Sequence, residues 1–214
     1  MIPLFHDFEG ESILVVGGGP VGARKARRFA REACVVVLSP TFDGEFGAVE
    51  KVRASVAPDD VDAWLDRVEP RLVVAATDDT ELNDALEAAA RDRGVLVNRT
   101  DESGARESHS VVVPATIRDG PVVLALSTSG RSPALSRYLR EQLESELEYA
   151  GAMAELTGEL RTQLKESERS PAARREAIRS VVKSQEVWTA LDSGSANASA
   201  VAADVLAADA GERS

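Results

Sequence analysis

Apolar residues are distributed along this chain in two textures. Short unbroken runs occur at Ile13–Val16, at Cys34–Leu38, in "RLVVAA" (71–76) and in "VLVN" (95–98); runs of this length suit strands buried on both faces of a parallel sheet. Between them lie segments of near-helical spacing. Val21, Ala26, Phe29 and Ala30 recur among Arg24, Lys25, Arg27 and Arg28, an acidic helix is predicted across "DDVDAWLDRV" (59–68), and another from Thr80 to Arg93 stops at Gly94. A candidate short strand sits near "KVRAS" (51–55). The alternation predicts an α/β fold, a Rossmann-type parallel sheet over residues 1–109 with helices on both faces and ligands at the carboxyl ends of its strands.

Beyond Asn98 the pattern changes. Two β-rich runs, Ser110–Ile117 and Val122–Ser127, flank Asp119-Gly120, a strong hairpin signal, and Pro114 and Pro121 favour edge positions. From Ser132, a good N-cap followed by a first-turn proline, only helical patterns appear: one to about Leu164 and a second from Pro171 to Trp188. An isolated hairpin is marginal in water, so residues 110–150 are expected to form a dimerisation segment and the protein a homodimer. Residues 151–192 then make a small helical C-terminal domain, and 193–214, rich in small and polar residues, a flexible tail.

Charge narrows the choice of partner. Thirty-six acidic against 25 basic residues give a formal net charge of −11 over 214 residues, which argues against nucleic acid as a ligand. The acid excess and scarcity of aromatics resemble halophilic proteins. A single cysteine, Cys34, excludes an internal disulfide and any multi-cysteine metal site, and its place in an apolar run predicts a buried core residue. No apolar run approaches membrane-spanning length and the N-terminus lacks a leader pattern, so a cytoplasmic protein without membrane contact is expected.

The chemistry concentrates in "ILVVGGGPVGARKARRFA" (13–30). Gly17, Gly19 and Gly22 satisfy G-x-G-x-x-G between a predicted strand and a predicted helix that Pro20 and Val21 open. Such glycines turn the chain out of the strand, let backbone approach a pyrophosphate and allow close helix–strand packing, while the helix N-terminus offers N–H groups to phosphate. A dinucleotide, NAD with NADP left open, is therefore expected. The second strand ends at Leu38-Ser39-Pro40, where an NAD site usually carries an acid, leaving Ser39 as a ribose donor; Asp43 and Glu45 lie further along. Asn98 and Asp101 end the fifth strand on the same side. His6 and His109 lack metal-ligand spacing and are expected to be ordinary packing or surface residues, so no metal site is expected.

"PLF", "ILVVGGGPVGARKARRF", "VVAATDDTELN", "VLVNRTD" and "PATIRDGPVVLALSTSGRSPALSRYLREQLE" follow one another in fixed order over residues 1 to about 145. In this the chain resembles precorrin-2 dehydrogenases, which also form the N-terminal module of siroheme synthases and in some members double as sirohydrochlorin ferrochelatases. The resemblance implies NAD-dependent oxidation of precorrin-2 to sirohydrochlorin in a homodimer. It also implies that Thr77 and Asp78 line the dinucleotide site, with Asp79 or Thr80 alternatively capping the next helix, and that Asp101 handles a proton, with Glu102, Glu107 and His109 as nearby substitutes. A tetrapyrrole bearing many carboxylates needs cations and donors; Ser127, Thr128, Ser129 and Arg131 are the candidates, with Arg137 and Arg140 as either substrate ligands or solvated helix-face arginines. The chain departs from the family at Thr128-Ser129-Gly130, where a glycine pair is more usual, and in the longer stretch from Asp101 to Pro114. A bifunctional ferrochelatase and a non-catalytic binding module are the rival readings.

Overall fold

The computed structural model describes residues 3–101 and 109–211, and the chain divides into two compact units, Met1–Val113 and Pro114–Ser214. In the first unit five parallel strands, β1 (Ser12–Val16), β2 (Cys34–Ser39), β3 (Glu50–Arg53), β4 (Leu72–Ala75) and β5 (Leu96–Arg99), form one sheet in the order β3-β2-β1-β4-β5. The continuous apolar runs exist because both faces are covered. Ile13, Val15, Val35, Val37, Leu72 and Val74 pack with Phe46 and with Ala23 and Ala26 of helix α1 (Pro20–Phe29) on one face. Leu14, Val16, Leu38, Val73, Ala75 and Val97 pack on the other against Val61 and Leu65 of α2 (Val61–Val68) and Leu82, Leu86 and Ala90 of α3 (Thr80–Asp92). At roughly 1.5–3 kcal/mol for each large side chain so buried, this double-sided core fixes the sheet.

The strand order reverses at β1. The connection through α1 leads to β2 on one side and the later one to β4 on the other, so the crevice outside the carboxyl ends of β1 and β4 is where this topology places a ligand.

Three expectations for this unit need correction. A turn of 3₁₀ helix, Pro58–Asp60, precedes α2 and takes the first part of the predicted acidic helix. Cys34 is exposed, because it begins β2 at the sheet's amino end. Ser110 and Val111 do not enter the hairpin: Val97 N–H donates to His109 O (3.1 Å) and Val111 N–H to Val97 O (2.8 Å), so this stretch runs beside β5 and extends the first unit to Val113. β5 is an edge strand whose free backbone groups are satisfied this way.

The second unit opens with an antiparallel hairpin, β6 (Ala115–Asp119) and β7 (Val122–Leu126), joined by Gly120-Pro121 with Gly120 at φ +50°. Helices α4 (Pro133–Glu146), α5 (Ala150–Lys165), α6 (Pro171–Lys183), α7 (Gln185–Asp192) and α8 (Ser195–Gly211) follow. The long predicted helix breaks at Leu147–Tyr149, with Tyr149 at φ +66°. Gly151 then packs on the hairpin turn, its N–H donating to Asp119 Oδ2 at 2.8 Å. The second predicted helix likewise divides at Ser184, whose hydroxyl caps α7.

The expected tail is instead helix α8, whose Ala198 and Ala202 are fully buried against a core that includes Met153, Val181 and Val187. Alanine is the strongest helix former, yet it leaves no stripe of large apolar side chains for a sequence pattern to reveal. No helix among the described residues is long and apolar enough to cross a membrane.

Candidate functional site

The glycine loop leaves β1 at the reversal point. Gly17 has φ +125°, and a Cβ there would lie 2.3 Å from Ala76 O, so the β1 and β4 carboxyl ends meet only because this residue has no side chain. A Cβ on Gly22 would lie 2.1 Å from Gly17 O, so its absence lets α1 close onto the loop. Gly19 differs: nothing lies within 4 Å of where its Cβ would stand.

Gly19 is also the N-cap of α1, with Pro20 in the first turn, no side-chain cap and no acidic residue there. The first-turn N–H groups and the positive end of the helix dipole thus face open space beside a bare glycine, as an anionic pyrophosphate requires. Val21, at the same end, is 36% exposed. Arg24 is exposed as well.

Gly18 was not singled out by the G-x-G-x-x-G spacing, although it is the tightest position. A Cβ there would fall 1.9 Å from Thr41 O and 2.5 Å from Ser39 Oγ, and Gly18 O accepts from Asp43 N–H at 2.7 Å. Ser39 is therefore a buried wall of the loop rather than an open side chain at its rim. The unbroken triplet Gly17-Gly18-Gly19, whose middle glycine the spacing does not require, was the available signal.

Beside this cradle the β4–α3 connection is organised by Thr77. Its hydroxyl accepts from Asp79 N–H (3.2 Å) and donates to Asn83 Oδ1 (2.7 Å), while Asp79 caps α3 by accepting from Leu82 N–H (3.1 Å). Asp79, not Thr80, is the N-cap, and Asp78 is exposed. Asn83 has no exposed surface; its Nδ2 donates to Thr77 O and to Asp101 Oδ2, each at 3.0 Å. The sequence reading missed Asn83. A single amide one turn inside an otherwise acidic and apolar helix was its trace.

Asp101 is held from a second side by Arg99, whose Nε and Nη2 donate to its two oxygens at 3.1 and 2.7 Å. Arg99 is only 5% exposed, and its Nη1 also reaches Asp84 and Glu87 of α3. Hydrogen bonding to the Arg99 guanidinium holds the Asp101 carboxyl below its ordinary range; burial opposes this, and the Asn83 bond adds to it. Arg99 is correspondingly pushed up, chiefly by Asp101. The structure thus gathers Thr77, Asn83, Asp101 and Arg99 into one network on the carboxyl side of β4 and β5. Arg99 too escaped the sequence reading, its charge at the end of an apolar run being the sign.

Asn98 is buried one residue earlier. Its Nδ2 donates to Val111 O at 2.7 Å, while its Oδ1, equally buried, has no hydrogen-bond partner. An orphaned acceptor here, together with the open N-terminus of α1, fits a dinucleotide, which carries both anionic phosphates and N–H and O–H donors. His109 is exposed with φ +66°, and the His6 ring lies tilted against that of Phe8, with centroids 4.2 Å apart; Glu102 and Glu107 lie outside the described residues.

In the second unit the Ser127–Arg131 loop binds itself. Thr128 Oγ1 donates to Ser132 O at 3.1 Å and lies 2.9 Å from Ser136 Oγ, Ser127 Oγ accepts from Ser129 N–H, and Ser129 has φ +55°. Arg131 is exposed. Arg137 and Arg140 pair with Glu141 and Glu144 one turn along α4, as solvated helix-face arginines do.

Residues 4–115 match a family described as putative NAD(P)-binding, and residues 119–146 match the sirohaem biosynthesis protein central family. A precorrin-2 dehydrogenase of Methanosarcina barkeri is 35% identical over 196 residues, covering 87% of this chain and 85% of that protein. This chain belongs to the precorrin-2 dehydrogenase family. The solved structure of SirC, a precorrin-2 dehydrogenase, superposes with a TM-score of 0.69 at 26% identity, over 86% of this chain and 91% of that one. A siroheme synthase of Photobacterium profundum is 36% identical over 179 residues, but the chain spans only 37% of its length. The family's Rossmann-type sheet, hairpin and helical C-terminal region are all present in this member.

Proposed function

We propose that this chain oxidises precorrin-2 to sirohydrochlorin with NAD as the hydride acceptor. The observation that carries this reading is the adjacency of two constructions at the carboxyl end of one parallel sheet: an uncapped glycine cradle, and a carboxylate, Asp101, fixed by Asn83 and Arg99. Gly17, Gly19, Pro20, Val21 and Gly22 would hold the pyrophosphate end of the dinucleotide, with Thr77, Asp78 and Asn98 along its course. When bound, the nicotinamide supplies the acceptor for a hydride.

Oxidation removes two hydrogens from the macrocycle, one with its electron pair and one as a proton. Asp101, ionised at neutral pH, accepts a hydrogen bond from the macrocycle, orients it and takes up the proton on its way to solvent. Ser127, Ser129 and Arg131 supply donors and charge for substrate carboxylates; Thr128 shapes their loop. Ser39 offers no carboxylate to reject a 2′-phosphate, so NADP is the natural second acceptor to assay.

The active form is a homodimer. Helix α4 has no buried residue within the chain, and Leu135 and Tyr138 stand 46% and 58% exposed on it, a surface suited to a second copy.

Anaerobic incubation with precorrin-2 and NAD tests the reading. Stoichiometric NADH and the sirohydrochlorin spectrum are expected, and NAD binding without turnover would leave only a binding module. Ferrous iron added afterwards tells the dehydrogenase from the bifunctional enzyme, since only the latter goes on to give the siroheme spectrum faster than the protein-free control.

A further inference from the structure

We infer that Asn83 is a positioning residue for the reaction, fixing the Asp101 carboxylate against the cofactor-side turn at Thr77. The inference rests on the role proposed for Asp101 and goes beyond it by assigning a group that touches neither ligand. Asn83 stands one turn inside α3, with no exposed surface, and its side chain is used in three directions. Oδ1 accepts from the Thr77 hydroxyl at 2.7 Å, while Nδ2 donates to Thr77 O and to Asp101 Oδ2, both at 3.0 Å. The carboxamide cannot reverse without placing its oxygen against both the Thr77 carbonyl and the Asp101 carboxylate, neither of which can donate to it. The position therefore reads amide, not merely polar.

A structural role alone would be served by closing the turn, which Thr77 and Asp79 already do between themselves. The bond from Asn83 to Asp101 is additional. It spans 18 residues and joins the first turns of α3, the helix that follows β4, to the loop after β5. Arg99 grips the same carboxylate from β5, but Arg99 is shared with Asp84 and Glu87, and Glu87 in turn pairs with Arg91, all three from α3. Charge alone would let the Arg99 guanidinium turn between Asp101 and those carboxylates. The neutral amide gives the Asp101 carboxylate a second donor from α3, and misplacing a reacting group by about 1 Å can cost roughly 10²-fold in rate.

The test compares Asn83→Asp, of the same shape, and Asn83→Ser with the parent and with Asp101→Asn, using the full chain, precorrin-2 and NAD. Melting temperature and NAD affinity serve as controls for folding. Both Asn83 variants should lose about 10- to 100-fold in kcat with little change in KM. In Asn83→Asp the new carboxylate beside Asp101 should move the acid limb of the kcat profile to higher pH, a change that looser packing alone would not produce. In the Asp101→Asn background, Asn83→Ser should cost no further activity, because the two act through one contact.

Parental kcat and an unmoved acid limb in a folded Asn83→Asp, or equal losses from Asn83→Ser with and without Asp101, would overturn the assignment. If only the serine variant folds, the double-variant comparison decides alone. Parental turnover by Asp101→Asn would instead remove the role of Asp101, and this inference with it.

Discussion

Helices α1 and α3 both begin at the carboxyl ends of neighbouring strands, β1 and β4, yet their first turns are finished in opposite ways. At α3 the protein satisfies its own helix: Asp79 caps it, Thr77 braces the cap and Asn83 carries the bonding on to Asp101. At α1 it supplies nothing, since Gly19 has no side chain, the first turn has no acid and the basic residues Arg27 and Arg28 sit at the far end. One N-terminus is closed by internal bonds and the other has no side-chain cap. The same local geometry thus serves structure at one strand end and, in the function proposed above, binds an anion at the next, and the side chains decide which.

The sharpest way to break this comparison is steric. Gly18→Ala or Gly22→Ala would drive a methyl into backbone oxygen at 1.9 or 2.1 Å, and a loss of about 3 kcal/mol or more in urea unfolding is expected, against almost none for Gly19→Ala. Equal losses at all three would mean that the cradle is not pre-shaped.

Gly19→Asp places a carboxylate at the open N-terminus of α1. NAD affinity measured by calorimetry should fall about 10²-fold or more while the melting temperature holds. Asp101→Asn is expected to lower turnover by a similar ~10²-fold with NAD affinity preserved, because it keeps shape and removes the charge.

At the closed N-terminus Asp79→Ala should behave conversely. Loss of the bond to Leu82 N–H costs about 1 kcal/mol of stability in denaturant titration and leaves NAD affinity near that of the parent. The smallest effect concerns pH. The Asp101 carboxyl is held below its unfolded value by Arg99, so its contribution to stability is complete above that unfolded value, near pH 4, and is lost as pH falls through the lower folded one. The stability gap between the parent and Asp101→Asn should accordingly narrow on acidification, and a gap that widened would contradict the pairing with Arg99.

Much of the first unit was legible before any coordinates. Runs such as Ile13–Val16 and Leu72–Ala75 are apolar on every residue because both faces of the sheet are covered, and a glycine cluster between strand and helix announces a tightly packed loop in its composition. The second unit was harder to read. Helix α8 is built on small buried alanines and so carries no stripe of large apolar side chains by which a helix is recognised, and the break at Tyr149 depends on Gly151 meeting Asp119 across 32 residues.

What the sequence determined by itself was therefore the parallel sheet, the cradle and the position of Asp101 at a strand end, all set by residues close together in the chain. Only the tertiary structure decided the burial of Ser39 against Gly18, the exposure of Cys34 and the joining of Thr77, Asn83, Arg99 and Asp101. Those outcomes depend on hydrogen bonds and close contacts between segments many residues apart, whose partners no local pattern of hydrophobicity or charge specifies.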